Sequence, residues 1–96
     1  MPPLTQTEID KKLQATKGWS QVGNTLHQKF TLKTFPAAIE FVNRIARTAE
    51  KAGHHPDFDI RYNLVEIRLS THSAGGITDL DFALAQQIDD IVSNLP

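Results

Sequence analysis

Three of the four histidines bracket one short stretch of the chain. His54 and His55 stand side by side before Pro56, and His72 follows later. Imidazole titrates near neutral pH, so two positioned histidines can give one proton and take another in a single turnover. Loss of water from carbon needs that pair of events. The departing hydroxyl must be protonated, and a proton must leave the neighbouring atom. Glu50, Asp57, Asp59 and Asp81 are the carboxylates near enough in sequence to orient an imidazole or fix its tautomer. Adjacent side chains in an extended segment diverge, which gives His54 and His55 different roles: one transfers protons while the other chiefly binds. The same His-His-Pro run also serves, more plainly, as a polar helix exit.

Other chemistries fit less well. His54, His55 and His72 with Asp57 could be written as a zinc set, but adjacent ligands are awkward and no His-Glu-x-x-His helix is present. The absence of cysteine removes thiolate metal sites, disulfides and cysteine nucleophiles. No serine sits in a nucleophile elbow, and Gly75-Gly76 lacks the pattern of a phosphate loop, leaving a tight turn as its reading. Trp19 and Phe58 could stack on a planar ring or serve the core. Tyr62 reads as a half-buried hairpin residue and His27 as a surface histidine. Glu50 is either an exposed last-turn acid or an orienter of His54 from one turn away. Asp81 combines two readings, a helix cap and a carboxylate beside the His72 loop.

The elements that must position these groups follow from periodicity. Thr5 and Glu8 have capping-box spacing ahead of Ile9 and Leu13, which predicts a helix over roughly 6–16 with Gly18 as its stop. Thr7 with Asp10 is the alternative box. Trp19 and Val22 belong to a short strand, and Gly23-Asn24 turns it into a longer one in which Leu26, Gln28, Phe30 and Leu32 alternate with polar residues. Thr34 caps a helix over 35–52, about 27 Å long at 1.5 Å per residue. Ala38, Phe41, Val42, Ile45, Ala46 and Ala49 form its apolar face, and Gly53 ends it. Phe58, Ile60 and Tyr62, then Val65, Ile67 and Leu69, make a second hairpin turning at Asn63. Thr78 with Asp81 opens a last helix carrying Leu84, Ile88, Ile91, Val92 and Leu95. The order α-β-β-α-β-β-α predicts an α+β fold: a four-stranded antiparallel sheet with three helices packed on one face. The second hairpin must bring its ends together, and with them His55 and His72.

Ninety-six residues without a linker or repeat predict one domain over 1–96. A chain this short has a limited core, so self-association is expected. Ten basic against eleven acidic residues give a formal net charge of -1, which disfavours direct nucleic-acid binding. No apolar run is long enough to span a membrane, and no secretory signal pattern opens the chain, so a cytoplasmic location is expected.

One run of residues narrows the chemistry further. Glu50-Lys51-Ala52-Gly53-His54-His55-Pro56-Asp57, then Tyr62, Thr71-His72 and Asp81, closely resembles the signature of the pterin-4a-carbinolamine dehydratases. The Asn63-x-Val65-x-Ile67-x-Leu69 strand and the Gly76-Ile77-Thr78 approach to the last helix fit as well. The resemblance implies removal of water from 4a-hydroxytetrahydrobiopterin to give quinonoid dihydrobiopterin. It implies His54 and His72 as proton-transfer groups, His55 as a holder of the pterin, and Asp81 as the acid beside them. It matches Glu50 to a second acidic position near those imidazoles and Trp19 to an aromatic near the pocket, and Pro56 and Phe58 join these two as candidate substrate-binding or orienting residues. The pterin is the substrate and no metal or other cofactor is implied. A homodimer or homotetramer, and a link to an aromatic amino-acid hydroxylase, are the implied partnerships. Some relatives act instead as dimerisation or assembly factors, which keeps a protein-interaction module as the alternative.

Overall fold

The computed structural model describes residues 1–96. Helix α1 spans Gln6–Gln14, strand β1 Ser20–Val22, β2 Thr25–Thr31, α2 Phe35–Ala52, β3 Asp57–Arg61, β4 Leu64–Leu69 and α3 Asp79–Ser93, with a 3-10 turn over His72–Ala74. The strands run in the order β1-β2-β4-β3, with every neighbour antiparallel. The expected α+β architecture is therefore present, in the expected order.

The starts of the helices are written in their caps. The Thr5–Glu8 box closes α1 in both directions, and Thr34 accepts from the Ala37 amide at the start of α2, with Pro36 in the first turn, where its missing N–H costs nothing. Thr78 and Asp81 form the box of α3. Helix α1 ends earlier than the sequence predicts. Ala15 and Thr16 bond back three residues, to the carbonyls of Lys12 and Leu13, which tightens the last turn before Gly18 is reached.

Alternation along β4 buries Val65, Ile67 and Leu69 beneath α2 and α3, where they meet Phe41, Ile45, Ala49, Leu84 and Ile88. Phe30 joins this core edge-on to Phe41, with centroids 5.1 Å apart. The opposite face of the sheet carries no helix and is charged. His27 pairs across to Arg68, Lys29 to Glu66, and Asp57 and Asp59 sit on the far side of the same two rows.

Two expectations need correction here. Tyr62 is not half-buried. It is 70% exposed with φ 53°, because the tight connection between β3 and β4 places it at a left-handed loop position and ends the alternation at Arg61. His27 is not a free surface histidine. Its ring bonds diagonally to Glu66 on the neighbouring strand, and only 16% of its side chain is exposed. That bond, aided by Arg68 and opposed by partial burial, holds the Glu66 carboxyl below its ordinary range. A lowered folded-state value means that Glu66 contributes stability above the ordinary glutamate range and loses it as pH falls through its own titration. Urea midpoints measured from neutral pH down to pH 3 should therefore fall less steeply for Glu66→Gln than for the wild type. Equal slopes would remove this role.

Candidate active site

The site begins where α2 stops. Gly53 takes the left-handed conformation, φ 65°, and its N–H and that of His54 return to the last-turn carbonyls of Ala49 and Glu50. This turns the chain off the helix axis and sends His54 inward. His54 is buried, and its Nε2 lies 2.6 Å from Asp81 Oδ1. Asp81 is completely buried at the third position of α3. Its second oxygen accepts from the Thr78 amide and from the Thr71 hydroxyl, each at 2.9 Å.

Thr71 immediately precedes His72, so one carboxylate ties His54 to the root of the turn that carries His72. Hairpin register supplies the rest of the closure. Asp57 pairs with Arg68, which sets the residues before β3 beside those after β4. The loop between Thr71 and Gly76 is pinned by two backbone bonds across an isolated bridge, and the N-terminal arm braces its exit through the Leu4 amide to the Ile77 carbonyl. His72 itself is exposed at the start of the 3-10 turn.

His55 points the other way. It is exposed, and its Nε2 meets Glu50 Oε1 at 2.8 Å. Glu50 therefore does not orient His54, the alternative the sequence offered. The left-handed Gly53 swings His54 off the helical face on which a one-turn partner would lie, and Glu50 reaches His55 instead. An exposed pair of this kind adds little stability.

Pro56 and Phe58 follow on the same edge of the sheet, both half-buried, with Phe58 packed against the core and opposite Ile67. Trp19 is not part of this cluster within the chain. It precedes β1, at the sheet edge opposite β3, stacks edge-on with Phe30 at 6.0 Å and donates its indole N–H to Asp89 at 3.0 Å. Burial pushes the Asp89 carboxyl up despite that bond. Asp59 pairs with Arg61, and Asp57 stays exposed on the open face. The imagined His/Asp zinc set does not form: His54 and His55 turn to different carboxylates, and no group of three potential ligands converges. Reasoning from sequence missed Thr71 as a partner of Asp81. The available signal is a threonine directly before a histidine, which does not by itself point to a partner on another element.

His54 thus rests on a buried carboxylate, His55 on an exposed acid of its own, and His72 stands on the turn that Thr71 ties to Asp81. The family described as Pterin 4 alpha carbinolamine dehydratase matches residues 2–91. The chain belongs to the pterin-4a-carbinolamine dehydratase family. A protein of Chloroflexus aurantiacus named for the same dehydratase is 52% identical over 92 residues, covering 96% of this chain and 99% of the relative. The crystal structure of a transcriptional coactivator/pterin dehydratase from Brucella melitensis superposes with a TM-score of 0.89 at 36% identity, covering 93% of this chain and 97% of that one. A pterin dehydratase-like RuBisCO assembly factor of the alpha-carboxysome shares the fold, with a TM-score of 0.63 at 20% identity over 76% of this chain and 84% of its own. As a member of the dehydratase family, the chain is a lyase that removes water from pterin-4a-carbinolamine. No helix is long and apolar enough to cross a membrane.

Proposed function

We propose that His54 and His72 carry the two proton transfers of the dehydration and that His55, on Glu50, holds the pterin. The 4a-hydroxyl of the substrate faces the loop at the start of α3. One imidazolium gives its proton to that hydroxyl, which leaves as water when the C4a–O bond breaks. The N5 lone pair forms the new double bond to C4a, and a neutral imidazole takes the N5 proton. One proton enters and one leaves, so the reaction is redox-neutral and its products are the quinonoid dihydropterin and water. Each positioned proton-transfer group typically contributes ~10²–10⁴-fold.

The observation that supports this reading above the others is the sharing of Asp81 between His54 and Thr71, which draws the two ends of the β3–β4 hairpin to one place. Pro56 and Phe58, half-buried on the same edge, line the ligand's apolar side in this reading. The biopterin form of the substrate, a homodimeric or homotetrameric assembly, a cytoplasmic location and service beside an aromatic amino-acid hydroxylase complete the proposal, as does a single domain spanning the chain. A stopped-flow assay with freshly generated 4a-hydroxytetrahydrobiopterin tests it. The purified protein should accelerate dehydration well above the buffer rate, and a rate equal to buffer would overturn it.

A further inference from the structure

We infer that Thr71 is a positioning residue: with Thr78 it forms a one-way chain of hydrogen bonds that fixes Asp81, and through it holds neutral His54 as the Nε2–H tautomer, leaving Nδ1 as the atom that exchanges protons with the ligand. The inference rests on the proposed role of His54 and adds the atom that acts and the residues that choose it.

The direction of every bond in the network follows from donor counting. The backbone N–H of Thr78 donates to Asp81 Oδ2. An ionised carboxylate only accepts, so the Thr71 hydroxyl, 2.9 Å from the same oxygen, spends its one proton there. Thr71 Oγ1 lies 2.7 Å from Thr78 Oγ1, and one of the two must donate. Thr71 has no proton left, so Thr78 donates to Thr71. The Thr78 oxygen in turn accepts from the Leu80 amide at 3.2 Å. Oδ2 is thus filled by two donors, and Oδ1 remains for His54 Nε2 at 2.6 Å, which must therefore carry the proton.

The other ring nitrogen has no partner within the chain. No buried side-chain nitrogen or oxygen lacks a hydrogen bond, so Nδ1 is the ring atom that reaches solvent. All three side chains behind His54 are buried: Thr71 at 4% exposure, Thr78 at 1% and Asp81 at 0%. Water cannot readily replace a missing donor there. A threonine supplies what the position needs: a hydroxyl that accepts one bond and donates another, on a β-branched side chain with few rotamers. Valine keeps the shape and removes both functions. Serine keeps both functions and loosens the shape.

Long-range proton–nitrogen NMR of the wild-type protein, with His54 assigned by comparison to His54→Ala, reads the tautomer without any turnover. Above the imidazole titration, His54 should show a protonated Nε2 and a bare Nδ1. A protonated Nδ1 would overturn the inference, whatever the protein's activity proves to be. Kinetics gives the second arm. Thr71→Val should lower kcat about tenfold, the scale of one hydrogen bond to a charged group, while KM stays within about twofold. Its His54 signals should become a mixture of tautomers, and Thr71→Ser should restore both. A folded Thr71→Val protein with wild-type kcat and an unmixed spectrum would show that Thr71 serves the fold alone. If the valine variant does not fold, the wild-type spectrum decides.

Discussion

His54→Ala should reduce kcat/KM for pterin-4a-carbinolamine dehydration by ~10²–10⁴-fold while leaving the protein folded. The imidazole is the one proton-transfer candidate held by a buried carboxylate, and it arrives in the site by way of the left-handed Gly53 at the end of α2. Alanine removes the group without disturbing that turn, because the His54 backbone bond to Ala49 is kept. His72→Ala should fall in the same range, since donor and acceptor act on the same molecule. His55→Ala should raise KM more than it lowers kcat, as its imidazole lies in the open on Glu50. The measurement is the initial rate of quinonoid product formation against substrate concentration. Turnover retained in both His54→Ala and His72→Ala would remove histidine acid/base catalysis from this protein.

Asp81→Ala should be the most damaging polar substitution for stability, at about 3 kcal/mol or more. Its carboxylate receives three bonds: from His54, from the Thr71 hydroxyl and from the Thr78 amide. Alanine deletes the acid of the α3 capping box, worth about 1 kcal/mol, and strands buried donors at about 1–3 kcal/mol for each that finds no substitute. Against the roughly 5–15 kcal/mol total of a small domain, that is a large fraction. Urea denaturation should show a lower midpoint with an unchanged slope, and activity should fall in the fraction that remains folded. An unchanged midpoint would mean that the network is not what holds the start of α3.

The sequence was most informative where one local rule acts alone. The bounds of α2 follow from Thr34, Pro36 and Gly53, each of which has a single physical reason to stand where it does. The alternation of Val65, Ile67 and Leu69 sets the face of β4, and both capping boxes are visible as four-residue patterns. Legibility failed where two parts of the chain compete. Glu50 lies one turn from His54 only if the helix continues, and the reversal at Gly53 decides otherwise. Tyr62 fits the strand period, but the tight turn claims it. His27 has the parity of a wet face, and only strand register brings Glu66 to it. Thr71 was hidden for the same reason: its partner lies on another element, across a turn whose closure no periodicity describes.

Asp81 serves the end of a helix and the orientation of an imidazole with the same two oxygens. Heat that frays the first turn of α3 must therefore release His54 in the same event, so inactivation and local melting should share one temperature. Substitutions chosen only to stiffen that helix start will also narrow the range of ring positions open to His54, and tuning either property will move the other.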